Sequence, residues 1–177
     1  MIPLKPVNLF LRALQVAFAT IVMGLIGDML NDYRGHSQST VNYVMFAVAF
    51  ALLTLFYLIA ANASEKLAIH PVILFIVDVL NLLFLFCAAV ALPSKLHAPN
   101  CSNDLALQHN TITNKSGSPR KTCREAKAAT AFLWFLLFTF LVTTIISAIN
   151  MTGGWMGMSG RARRRSSKVA PQPMSQV

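Results

Sequence analysis

The sequence predicts an all-α membrane protein, a bundle of four transmembrane helices, and three observations carry that prediction. Of its 177 residues, 55% are hydrophobic and 12% charged, whereas soluble domains usually carry about a quarter charged residues. The apolar residues are gathered into four blocks of roughly 20, the length that crosses a ~30 Å hydrocarbon core at ~1.5 Å per residue. Five of the fifteen basic residues follow the last block as one short cluster, a pattern that fits attraction to an anionic membrane surface. The net charge of +9 therefore does not indicate nucleic acid, and no groove-reading module is present.

The first span covers about residues 7–26 and is interrupted by Arg12 and Gln15. Residues 17–19, "AFA", resemble a signal-peptidase site, but Arg12 breaks the apolar run that such a leader needs, so a retained first helix is expected. The second span is 41–61. The third, 71–92, opens on Pro71, whose missing N–H costs nothing in a first turn. The fourth is 126–149. Residues 1–150 thus make the transmembrane domain, with a long loop at 93–125, and 151–177 make a flexible basic tail. Four spans put both termini on one side. Eight basic residues would then lie on the terminal side and seven on the other, a weak bias. The loop holds Cys101 and Cys123 and two N-x-S sequons, at Asn100 and Asn114, which suit an oxidising face. The termini are therefore expected in the cytosol and the loop outside. Sequons at Asn62 and Asn150 lie on the opposite side, so that motif alone decides little. The loop cysteines are either a disulfide or two free thiols. A bond would restrict the unfolded chain by roughly 3 kcal/mol in the entropy model. Cys87, inside the third span, reads as a small hydrophobe.

The polar residues within the spans carry the functional question. Arg12 and Asp78 lie about 8 and 10 Å from the same membrane surface, counted along helices that run in the same direction. Three residues further along each helix stand Gln15 and Asn81, on the same faces. Tyr57 on the antiparallel second span reaches a similar level. The expected arrangement is an inward polar layer pairing Arg12 with Asp78 and Gln15 with Asn81, with Tyr57 nearby. Leu74, Asp78, Asn81, Leu85 and Ala88 form one stripe at near-heptad spacing. Small residues, Ala47 and Ala51 on the second span and Thr139, Thr143 and Ser147 on the fourth, favour close packing. Three readings of the layer compete: a clasp holding the bundle, a proton or ion pathway through Asp78, and a response to lipid. The clasp is preferred, because only one carboxylate lies within the spans and no broken helix or internal repeat marks a transport site.

In the tail, Arg161, Arg163, Arg164, Arg165 and Lys168 are expected to bind anionic inner-leaflet lipid, at roughly 1 kcal/mol each. Ser166 and Ser167 follow three arginines and are phosphorylation candidates. Two phosphates would add about −3 to −4 charges and nearly cancel the cluster. No catalytic constellation is present: His36, His70, His97 and His109 are scattered without metal-ligand spacing, and no hydrolase or phosphate-loop motif occurs. No enzyme activity, cofactor or metal is expected.

Three stretches, "HSQSTVNYVMF" (36–46), "HPVILFIVDVLNLLFLF" (70–86) and "CREAKAATAFLWF" (123–135), together with the final "SQV", closely resemble the fungal non-classical export protein family. The similarity runs over nearly the whole chain and is weakest in the long loop and the tail. The resemblance implies a MARVEL-type four-helix domain resident in the plasma membrane, in eisosome-associated microdomains. It implies a part in forming those domains, in responding to sphingolipid and in exporting proteins that lack leaders. Partners implied are sphingolipid, eisosome proteins and further copies of the chain. Asn42, Tyr43, Asp78, Asn81 and Cys123 match the family pattern. The alternative is a small transporter or channel using Asp78.

Overall fold

The computed structural model describes residues 4–33, 35, 38–63, 71–97, 100–102 and 107–166. Four helices account for nearly all of them: α1 (Leu4–Asp32), α2 (Ser39–Ala63), α3 (Pro71–Leu96) and α4 (Pro119–Ser166). Each holds a stretch long and apolar enough to cross a membrane. The protein is a multi-pass membrane protein. The helices form a ring in which α1 packs on α2 and α4, and α3 packs on the same two neighbours. Across the diagonals, α1 to α3 and α2 to α4, the backbones do not meet among the described residues.

The ring follows from one sequence pattern repeated four times. On α1 the buried positions are Arg12, Gln15, Ala19, Val22, Ile26 and Met29, continuing to Tyr33. On α2 they include Val41, Val44, Val48, Ala51, Leu55 and Leu58, and on α3 Asp78, Asn81, Leu85, Ala88, Leu92 and Leu96. On α4 they include Thr122, Ala126, Ala129, Leu133, Leu136, Phe140 and Thr143. Spacings of three and four recur along each seam, the pattern of side chains interlocking between nearly antiparallel helices. Alanines on every seam let the backbones approach, the means of helix association where lipid removes the hydrophobic drive. Phe10, Leu53, Phe56, Leu83, Phe86 and Phe138 point outward and are more than half exposed. On a soluble protein such a surface would be anomalous; here it faces acyl chains.

Three helix ends run furthest past expectation. Helix α1 runs two turns beyond residue 26, and α4 begins two turns before residue 126. These turns hold each other at the loop end of the bundle. Helix α4 also continues unbroken through the glycine-rich stretch to Ser166, 48 residues in all, where a flexible linker was expected from residue 151. Its glycines each cost about 1 kcal/mol of helix propensity, but alanine, methionine and arginine between them are good helix formers. The side chains from 150 onward are outside the described ones, as are residues 167–177, so Ser167 and Lys168 lie outside the described residues and Arg161, Arg163, Arg164, Arg165 and Ser166 are placed by backbone alone.

The loop between α3 and α4 is tied down at both ends. Helix α3 stops after Pro93 in its last turn, with His97 in the left-handed region (φ 37°), a common helix terminator. Its end carbonyls are taken up by the loop: the Asn110 amide donates to the Leu96 carbonyl, and the Thr111 hydroxyl donates to that of Lys95 at 3.2 Å. Cys101 is bonded to Cys123 on the second turn of α4, across 22 residues.

Candidate functional site

The polar side chains of α1 and α3 fall on the same seam positions as the apolar core, one turn after another at the terminal end of the bundle. Arg12 is 2% exposed and Asp78 0%, and their Nη2 and Oδ2 atoms lie 2.6 Å apart. Because α1 and α3 stand on a diagonal of the ring, their backbones are out of contact, and the long arginine side chain bridges the gap. Its second terminal nitrogen donates to Gln15 Oε1 at 3.1 Å, and the Gln15 amide donates onward to Thr143 Oγ1 on α4 at 3.0 Å. Ser147 Oγ, also on α4, donates to Asp78 Oδ2 at 3.4 Å. Asn81 donates to Thr54 Oγ1 on α2 at 2.8 Å and to the Val77 carbonyl at 2.9 Å. All four helices are thus joined at one level. A lone charge in hydrocarbon costs several kcal/mol, so the ion pair is enclosed and hydrogen-bonded.

This layer joins Arg12 to Asp78, as the register predicts, but its neutral pairs differ from the expected ones. Gln15 does not meet Asn81: its carbonyl is taken by Arg12 and its amide turns to α4, while Asn81 faces α2. Tyr57 is half-buried and makes no side-chain hydrogen bond among the described residues. The α2 seam runs through Leu55 and Leu58, which turns position 57 aside. Thr54 is the partner that sequence reading missed. It stands seven residues before the end of the second span, the depth of Asp78 from the other direction. Matching depths along antiparallel helices would have found it. Asp78 Oδ1, Asn81 Oδ1 and Arg12 Nε are buried with no hydrogen-bond partner among the described residues.

A second polar junction, absent from the sequence reading, closes the loop end. Asp32 at the end of α1 accepts from Ser116 Oγ (2.5 Å), from the Ser118 N–H (3.0 Å) and from Thr122 Oγ1 (3.3 Å). Its carbonyl accepts the Gly117 N–H at 3.0 Å. Lys121 Nζ lies 2.7 Å from Asp28 Oδ2 and 3.6 Å from Glu125 Oε1. The buried Tyr33 hydroxyl donates to the Ile112 carbonyl at 2.7 Å. Burial, then the neighbouring Asp32 charge, pushes its pKa up to about 12, so it stays a neutral donor.

The remaining predicted residues stand apart from both junctions. Asn42 is exposed at the start of α2. Tyr43, half-buried one residue on, donates to the Phe84 carbonyl of α3 at 3.4 Å. Asn100 and Asn114 are exposed on the loop, and Cys87 is an exposed free thiol on the outer face of α3. Among the described residues, no group of His, Cys, Asp and Glu could hold a metal ion.

The MARVEL membrane-associating domain matches residues 4–146. The chain is 40% identical to non-classical export protein 2 of Saccharomyces cerevisiae over 170 residues, covering 94% of this chain and 95% of that one. It is 35% identical to that yeast's non-classical export protein 2 homolog 1, with the same coverage. It is 37% identical to non-classical export protein 102 of Candida albicans, covering 96% of this chain and 97% of the relative. No solved structure gives a significant match.

Proposed function

The chain belongs to the MARVEL membrane-associating family, among the non-classical export proteins, and on that premise we propose that it is a non-enzymatic scaffold organising a plasma-membrane microdomain of the eisosome type. The scaffold responds to sphingolipid and serves the export of proteins that lack leaders; its relatives are named for non-classical export. The observation that carries this reading is the closure of the bundle. Arg12, Asp78, Gln15, Asn81, Thr54 and Thr143 spend their hydrogen bonds on one another across four helices, while large apolar side chains face outward on every helix. Such a body offers lipid and neighbouring proteins a rigid apolar exterior.

Its termini lie in the cytosol. The bonded Cys101 and Cys123 support this, since an oxidising face favours the disulfide. The tail cations from Arg161 to Lys168 then meet the anionic inner leaflet, and phosphorylation of Ser166 and Ser167 weakens that contact. Sphingolipid, inner-leaflet anionic lipid, eisosome proteins and further copies of the chain are the partners. Imaging a tagged copy beside an eisosome marker, before and after blocking sphingolipid synthesis, tests the reading. A punctate pattern that shifts with the block is expected, and a uniform, unresponsive distribution would reject it.

A small transporter or channel using Asp78 is the second reading, favoured by the buried unpartnered oxygens of Asp78 and Asn81. Ion or solute flux in proteoliposomes that is lost in Asp78→Asn would establish it in place of the scaffold.

A further inference from the structure

A cavity of about 810 Å³ opens at the loop end, lined by Gln108, Ser118, Arg120, Lys121, Arg124 and Glu125 with Pro119 at its edge. Arg120, Lys121 and Arg124 stand there with Glu125 on the first two turns of α4, whose dipole adds positive charge, while Asp28 of α1 pairs with Lys121 from outside the lining. Arg124 is exposed and has no carboxylate partner among the described residues. Gln108 and Ser118 add neutral hydrogen-bond donors. Residues 120–125 lie about 2–9 Å beyond the start of the fourth apolar span at ~1.5 Å per residue, which is the depth of the headgroup layer.

From this placement we propose that the cavity binds the phosphate of an anionic lipid headgroup in the leaflet at the loop end. Arginine and lysine match phosphate oxygens by charge and by hydrogen-bond geometry. The site has a built-in consequence. Lys121 is already held by Asp28 at 2.7 Å, so a phosphate in the cavity competes with α1 for the same ammonium. Headgroup occupancy is thereby coupled to the junction between α1 and α4. The proposal rests on the reading of the chain as lipid-responsive, but it concerns the leaflet opposite the basic tail.

The test uses the full-length chain with its five tail cations replaced by glutamine, in nanodiscs of mixed phosphatidylcholine and phosphatidylglycerol. Lipid retained on release is counted by native mass spectrometry. Phosphatidylglycerol is expected to be retained over phosphatidylcholine, and Lys121→Gln with Arg124→Gln should lower its retention about tenfold, as loss of charge-assisted hydrogen bonds to phosphate implies. Asp28→Asn should raise retention by freeing Lys121, a gain that misfolding does not produce. A non-reducing gel verifies the Cys101–Cys123 bond in each variant. Equal retention of the two lipids, or retention unmoved by these substitutions, overturns the site. Displacement of the lipid by millimolar inorganic phosphate assigns the cavity to free phosphate and overturns the lipid assignment. Retention that disappears on neutralising the tail alone overturns the cavity while leaving the tail reading intact. Loss of microdomain localisation in cells would instead reject the scaffold and leave the cavity untouched.

Discussion

The two ends of the bundle are fastened by opposite means. At the terminal end one ion pair, 2% and 0% exposed, bridges the diagonal from α1 to α3, and a short chain of amides and hydroxyls reaches α2 and α4. At the loop end Lys121 and Asp28 are 50% and 46% exposed, and the junction adds backbone donors to Asp32 and a disulfide. The difference follows from the solvent. In hydrocarbon a charge has no alternative partner, so a single enclosed pair is strong when intact and expensive when broken. Beside water each charge is already solvated, so a polar contact adds little and fastening requires many contacts or a covalent one.

The contrast sets an order of effects. Asp78→Ala, which leaves Arg12 buried and unpaired, should cost about 3–5 kcal/mol of bundle stability, read as a large fall in unfolding midpoint in detergent. Adding Arg12→Met should recover much of that loss. Cys123→Ser should cost about 3 kcal/mol by freeing the loop in the unfolded state, and reductant should produce the same fall in the parent chain. Asn81→Leu should cost about 1 kcal/mol, and Thr54→Val should add little to it, because both remove one hydrogen bond. Lys121→Gln should cost well under about 1 kcal/mol, and that small cost should vanish in high salt. The Asp78 effect should persist there. A salt-sensitive Asp78 effect would erase the distinction between the two ends.

How far each end could be read from sequence follows from the same physics. Arg12, Gln15, Asp78 and Asn81 stand out because their neighbours are apolar, and helical rise gives their depths without any knowledge of packing. Register alone could not assign the neutral pairs, since Asn81 could turn toward α1 or α2 and only the ring order decides for Thr54. Near-heptad spacing was visible on α3; the same seam on α1, α2 and α4 is masked by apolar residues on every face, where buried and lipid-facing positions look alike. Asp28, Asp32, Ser116 and Lys121 were invisible for the opposite reason. They lie among other polar residues, and their partners are more than 80 positions away in the chain. The disulfide was one of two open readings of the loop cysteines, because spacing cannot place two side chains next to each other.

The clasp requires Arg12 and Asp78 to act as one unit. A double-mutant cycle with Arg12→Met and Asp78→Val, followed by reversible unfolding in mixed micelles, measures their coupling directly. The clasp predicts a coupling of about 2 kcal/mol or more, larger than single hydrogen bonds reach inside membranes. Additive losses, with coupling near zero, would contradict it.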